Sequence, residues 1–272
     1  MHPEDVTNSV KESHIETSEQ AARRIFGERS SFYTKSAVHK DPEVLKRIIR
    51  LAGPRVDSLA LDIATGSGHT AAALAPKVSA VVGIDITPQM IGEAQKLTLE
   101  LGIGNVLLCL ADTHTLPFQN QTFNIVTCRR AAHHFSNIMH ALQEMKRVMR
   151  SNGRLVVDDR SVPEDDFVDG CMNELDRLHD ASHVREYRPS QWVSMLQASG
   201  FKVDLIEPYS KNLPLTSLTT SVSPKNTERI QTIVNELTHE RRRAMHVDEI
   251  NGEIFINHWY LMLSAHLDPT IL

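Results

Sequence analysis

Apolar and polar positions along the chain follow two alternating periods. The runs RVDSLALDI, SAVVGID, NVLLCLAD, FNIVTC and RLVVDD each centre on consecutive apolar residues, as strands buried on both faces do. Between them lie segments with helical spacing: HTAAALAPK, TPQMIGEAQKLTLELG and SNIMHALQEMKRVMRSNG. Ahead of the first strand, DPEVLKRIIRLAG predicts a helix with Asp41 as N-cap, Pro42 at its first position and Gly53 at its stop. A shorter helical lead-in over about Glu19 to Ile25 ends at a break at Gly27. Thr87 caps the second inter-strand helix, Ser136 caps the third, and Gly153 closes that third helix.

Strands alternating with helices predict an α/β fold. The expected form is a doubly wound, Rossmann-like, seven-stranded, mostly parallel sheet with helices on both faces. Its later elements are helices over EDDFVDGCMNELDRLHDASH and RPSQWVSMLQASG, a sixth strand FKVDLIEPY, one charged helix over residues 224–246, and a long last strand EIFINHWYLMLSAHL, antiparallel to the rest. The expected organisation is a flexible tail over 1–20, a helical cap over 21–53 and the main domain over 54–272. Residues 160–250 carry its pocket and lid insertions. In such a sheet ligands bind beyond the carboxyl ends of the strands, so chemistry is sought just after each strand.

Composition narrows the class. Apolar residues at 41%, charged residues at 23% and a net charge of −5 fit a globular protein and argue against a dedicated nucleic-acid binder. No apolar run is long enough for a membrane span, and the polar N-terminus lacks a secretory h-region. Three widely spaced cysteines, Cys109, Cys128 and Cys171, read as free thiols in a reducing cytoplasm. No spacing of histidines and cysteines suggests a metal. A cytoplasmic protein, monomer or homodimer, is expected.

The turn after the first strand, LDIATGSGHTA, spells G-x-G-x-x-A over Gly66, Gly68 and Ala71. That spelling alone suits either a dinucleotide or another adenosyl ligand. Asp62, on the strand leading into it, would repel a diphosphate and suits a ligand that carries positive charge, such as a sulfonium amino acid.

LDIATGSG resembles motif I of class I S-adenosylmethionine-dependent methyltransferases, with Ala64 standing where the common pattern has its first glycine. VVGIDITPQMI, ADTHTLPF, FNIVTCRRAAHHF and GRLVVDD resemble the motifs that follow, in order, over about Leu59 to Asp159. Within that class the chain is most similar to the small-molecule group that includes the ubiquinone/menaquinone C-methyltransferases. The resemblance implies S-adenosylmethionine as cofactor, held by Asp62 and the turn Ala64, Thr65, Gly66 and Gly68. It implies ribose contacts from Asp85, adenine packing from Ile86 and Met90, and adenine hydrogen bonding from Asp112 with the backbone of Thr113. Arg129 would lie beside the methionine end.

In RRAAHHF, His133 and His134 are near-neutral general bases facing the acceptor. Tyr33, Ser36 and His39 of the cap would close over the cofactor, and Tyr33 and His39, with Arg130 and with His183, Arg185 and Tyr187 of ASHVREYRPSQW, would bind the acceptor. Arg129 and Arg185 would favour an anionic or deprotonated acceptor. The expected activity is metal-independent methyl transfer to a small C, O, N or S nucleophile, including a small thiol or sulfide. A nicotinamide oxidoreductase and a non-catalytic S-adenosylmethionine-binding protein are the alternatives.

Overall fold

The computed structural model describes residues 16–30 and 40–270 of the 272-residue chain. Tyr33, Ser36 and His39, singled out in the cap, lie outside the described residues. The strands are β1 (Leu59–Ile63), β2 (Ala80–Asp85), β3 (Val106–Leu110), β4 (Phe123–Arg129), β5 (Met149–Arg160), β6 (Phe201–Pro214), β7 (Asp248–Ile250) and β8 (Glu253–Leu267). The helices are α1 (Ser18–Glu28), α2 (Pro42–Ala52), α3 (His69–Leu74), α4 (Pro88–Glu100), α5 (Ile138–Val148), α6 (Asp166–His179), α7 (Pro189–Ala198), α8 (Thr216–Thr219), α9 (Pro224–Asn235) and α10 (His239–Ala244).

The sheet runs β3-β2-β1-β4-β5-β8-β6, with the short β7 paired to β8 as an eighth strand beyond the expected seven. Strands β1 to β5 pair in parallel, and β8 lies antiparallel between β5 and β6. The chain winds outward from β1 to β3, then returns so that β4 pairs with β1. Between those two strands the winding reverses, which opens a crevice at their carboxyl ends. Strand β7 exists because Asn251 and Gly252 both adopt left-handed backbone, φ 53° and 79°, closing a tight hairpin into β8.

Alternate strand residues face opposite layers. Leu61, Val126, Leu155 and Leu263 pack with Leu142 and Met145 of α5 and Trp192 of α7. Their neighbours Ala60, Ile125, Val156 and Met262 pack with Ile48 of α2 and Leu74 of α3. A third core joins α6, α9 and the segment after α10 through Met172, Leu175, Ile230, Val234 and Met245.

Several expected boundaries move. Gly27 lies inside α1, which starts at Ser18 behind a capping box on Thr17 and so reaches into the expected tail. Asn137, not Ser136, caps α5 by accepting from the backbone N–H of His140. Gly153 belongs to β5, so the chain passes from α5 into the strand without a glycine stop. The charged segment 224–246 is two helices, because Thr238 starts α10 with its own cap to Arg241 N. Among the described residues no helix is long and apolar enough to cross a membrane.

Ala64 is left-handed, at φ 49°, in the turn after β1, while Gly68 (φ 84°) lies so close to α4 that an added Cβ would meet Ala94 Cβ at 3.0 Å. These predict opposite responses. Ala64→Gly relieves a backbone cost of about 1 kcal/mol and leaves stability equal or higher. Gly68→Ala lowers it by about 2 kcal/mol or more. Denaturant midpoints of the two variants check this; a loss for Ala64→Gly as large as that for Gly68→Ala would contradict it.

Candidate active site

The carboxyl ends of β1, β2, β4 and β5 open into one cavity of about 760 Å³. Its first wall is the turn after β1. Ala64, Gly66 and Gly68 are all left-handed and reverse the chain into α3 within five residues. Thr65 N–H donates to Ile84 O at 2.7 Å, fastening the turn to β2. A Cβ on Gly66 would meet nothing within 4 Å, so the glycine borders open space. Gly68 itself does not line the cavity; its work is the close approach to α4.

Asp62 is buried at the end of β1. Its two oxygens accept the hydroxyls of Thr65 and of Thr127, its register partner on β4, both at 2.7 Å. Burial raises its pKa, and the two hydroxyl donors oppose that shift. Asp85, ending β2, accepts Gly66 N–H and Thr87 N–H, each at 2.9 Å. Burial raises its pKa too, against these backbone donors. The start of α4 is therefore held by Asp85, because Thr87 makes no side-chain cap bond. Ile86, Met90 and Thr113 line the cavity beyond. Asp112 lines it as well, with one oxygen taking His114 N–H at 2.8 Å.

This wall suits a nucleoside with a cationic tail. It offers the carboxylates of Asp62, Asp85 and Asp112 as acceptors, with an apolar strip of Ile86 and Met90 beside them. A diphosphate in the same turn would face Asp62 and Asp85 and find Gly66 N–H already given to a carboxylate.

The opposite wall is built on β5, which ends in two adjacent carboxylates with no exposure, Asp158 and Asp159. Asp159 receives the His133 backbone N–H at 3.1 Å and faces His133 Nδ1 at 2.5 Å. Burial alone would raise the Asp159 pKa, but the imidazole beside it holds it below the ordinary value. An ionised carboxylate only accepts, so Nδ1 carries the hydrogen and Nε2 is the basic atom of the ring. His134 Nδ1 lies 3.0 Å from Ser182 Oγ, and Ser182 Oγ–H donates to Asp180 at 2.6 Å. The two rings stack with centroids 4.0 Å apart.

Asp158, on the other side of β5, receives Arg130 Nε at 3.0 Å and the Tyr209 hydroxyl at 2.5 Å. Arg130 also donates to Tyr209 at 2.9 Å and lies over the Tyr260 ring at 3.7 Å. Arg130 borders the cavity, but these bonds commit its guanidinium to joining β4, β5 and β6. Arg129 lines the cavity and donates to Thr70 Oγ1 at 3.0 Å.

Of the residues expected in the acceptor pocket, His183 lines it, whereas Arg185 and Tyr187 do not. Arg185 is drawn into an ion pair with the buried Asp169, and Tyr187 packs edge-on against Trp192. In their place the structure brings in Arg160, Asp176, Ser217 and His258. They come from β5, α6, α8 and β8, so no local sequence pattern links them. Asp159 did carry a signal, two adjacent acids ending an apolar strand. Among the described residues no group of three His, Cys, Asp or Glu side chains is arranged to hold a metal.

Burial lowers the pKa of His134 to about 4 and those of His183 and His258 to about 3, from an ordinary 6.5. In the unfolded chain these rings take up protons near pH 6.5; in the folded protein they stay neutral to much lower pH. Their contribution to stability is therefore complete above about pH 6.5 and is lost as pH falls toward 4 and 3, each ring by up to about 1.4 kcal/mol per pH unit. Denaturant midpoints should fall between pH 7 and pH 5, and His183→Gln should flatten that slope. An unchanged midpoint over this range would contradict the assignment.

Known proteins share this architecture. A family model described as a methyltransferase domain matches residues 56–210. The uncharacterized methyltransferase YcgJ of Bacillus subtilis is 37% identical over 190 residues, which cover 70% of this chain and 74% of that one. Its crystal structure superposes with a TM-score of 0.79, covering 83% of this chain and 98% of the other at 31% identity. A demethylmenaquinone methyltransferase of Bacillus cytotoxicus is 30% identical over 121 residues, 43% of this chain and 51% of that relative. With the winding of the sheet and the acidic turn at its switch point, these matches give the family: the chain belongs to the class I S-adenosylmethionine-dependent methyltransferases.

Proposed function

We propose that the protein transfers the methyl group of S-adenosylmethionine to a small-molecule nucleophile, with His133 as general base. The observation that carries this is the continuity of the cavity. One space of about 760 Å³ joins Asp62, Asp85 and Asp112 to His133, whose ring is held from behind by the buried Asp159.

Bound S-adenosylmethionine supplies a methyl group on a sulfonium sulfur. Asp85 would accept the ribose hydroxyls, and Asp112 the adenine amino group, while Ile86 and Met90 cover the base. Asp62 places a carboxylate near the positively charged methionine end. The acceptor X–H would give its proton to His133 Nε2 as the X–C bond forms and the methyl–sulfur bond breaks, its electron pair staying on the sulfur as a neutral thioether, and Asp159 would stabilise the resulting imidazolium. The carboxylate also fixes the tautomer that leaves Nε2 basic, so Asp159 is a positioning residue. Ala22 and Phe26 of α1 line the cavity with Phe135, an apolar rim that excludes water as a competing nucleophile.

Calorimetry should show binding of S-adenosylmethionine and S-adenosylhomocysteine and none of NAD; the reverse pattern would overturn the reading. Asp85→Ala should weaken both adenosyl ligands. His133→Asn should lower turnover by about 10²–10⁴-fold while leaving S-adenosylhomocysteine affinity within a few-fold. Full turnover in the His133 variant would remove its role as base.

A further inference from the structure

The hydrogen-bond polarity of the acceptor end is fixed by its buried partners. Among the described residues this wall carries the imidazoles of His133, His134, His179 and His183 as well as that of His258. His133 gives its Nδ1 hydrogen to Asp159. His134 faces Ser182 Oγ, whose own proton goes to Asp180, so the hydroxyl is left to accept and His134 Nδ1 carries the hydrogen. His179 Nδ1 lies 3.0 Å from the Leu218 carbonyl, which only accepts.

His183 is set by a longer argument. Its Nε2 lies 3.1 Å from Asn173 Oδ1. The Asn173 amide is oriented at both ends: its NH2 group donates to the Asp169 carboxylate at 2.8 Å and its oxygen accepts Glu186 N–H at 2.8 Å. The atom facing His183 is thus the oxygen, and Nε2 carries the hydrogen. In each neutral ring the second nitrogen is a bare lone pair. Burial keeps His134 and His183 neutral at pH 7.

Among the described residues the cationic groups on this wall are already engaged, Arg29 with the Ser221 carbonyl at 2.7 Å. Arg160 donates to Glu186, His258 and Asp176, and Arg130 to Asp158 and Tyr209. Asp176 and Asp180 add acceptor oxygens, and each is held below the usual carboxylate range: burial would raise both, but Arg160 beside Asp176 and His134 beside Asp180 outweigh it. One donor faces the other way. His258 Nδ1 accepts from Arg160, so its Nε2–H donates to Ser217 Oγ at 3.0 Å. The Ser217 hydroxyl hydrogen is left for a ligand, and Ser217 lines the cavity. Leu213, Pro214 and Leu218 give the same end an apolar side.

We infer that the methyl acceptor is a neutral molecule with an apolar or aromatic body, carrying two or more clustered O–H or N–H donors and one acceptor atom, and not a carboxylate. The clustered donors meet the imidazole lone pairs, and the acceptor atom meets Ser217. A carboxylate has no hydrogen to offer and would face lone pairs and anions together. The inference deepens the proposed function, resting on it only for the statement that this end of the cavity receives the methyl acceptor. It replaces the anionic acceptor that Arg129 and Arg185 suggested in the sequence.

Two measurements test it. The first is nitrogen-15 NMR of the histidine rings in the whole protein at pH 7. Hydrogen on Nδ1 of His134 and on Nε2 of His183 is expected; the opposite tautomer at either ring, or a protonated ring, overturns the inference. The second is binding of phenol, catechol, pyrogallol and benzoate, kept anaerobic, to protein saturated with S-adenosylhomocysteine. Affinity should rise about fivefold with each added hydroxyl, and benzoate should bind more weakly than phenol. Ser182→Ala frees His134 to change tautomer and should shrink the gain from phenol to catechol. Equal affinities, no measurable binding by any of the four, or a preference for benzoate contradicts the inference. Saturation by S-adenosylhomocysteine is measured first and alone, and its failure counts against the proposed function instead; the probes are then compared on the protein without it.

Discussion

Two adjacent carboxylates at the end of a central strand constrain everything around the site. Asp158 and Asp159 have no exposure, and a buried carboxylate is costly unless its oxygens are filled by strong donors. The pleat of β5 sends them to opposite sides. On one side Asp158 gathers Arg130 and Tyr209, tying the ends of β4, β5 and β6. On the other, Asp159 takes both the backbone and the ring of His133. The turn after β4 is shaped to satisfy both. Arg130 adopts left-handed backbone at φ 54°, and its N–H donates to Asp158 O at 2.7 Å. The wall that carries His133, the proposed base, is thus a consequence of satisfying two buried charges.

The wall proposed to hold the cofactor follows a milder form of the same logic. Asp62 and Asp85 lie at the ends of neighbouring strands, and each takes one donor from its own turn and one from across: Asp62 the hydroxyls of Thr65 and Thr127, Asp85 the N–H groups of Thr87 and Gly66. Burial raises both carboxyls toward the neutral form. A ligand bringing hydroxyl or ammonium donors would favour the charged form again, which couples binding to the ionisation of these groups.

The parts legible in the sequence are those set by neighbours along the chain. Asp41, Pro42 and Gly53 stand at the start and stop of α2 because capping is local. The apolar runs became strands because a parallel sheet covered on both faces needs them. The same locality makes the turn from Asp62 to Gly68 readable. Where tertiary contacts decide, reading failed. Arg185 was drawn to Asp169, a pairing between segments that the sequence alone does not bring together, and Tyr187 turned onto Trp192, five residues further on. Ser217, Asp176 and His258 reach the cavity from three distant elements, and none carries a motif. The missed strand β7 was a different kind of loss, since Asn251-Gly252 is a local hairpin signal that was there to read.

The central claim is that one cavity brings the cofactor's sulfur and the His133–Asp159 pair together. A crystal structure of the protein with S-adenosylhomocysteine tests that most directly. The account predicts the ribose hydroxyls on Asp85, the adenine against Ile86 and Met90, and the sulfur turned toward the space that His133 Nε2 faces. A nucleoside bound elsewhere, or a sulfur cut off from His133 by intervening side chains, would contradict it.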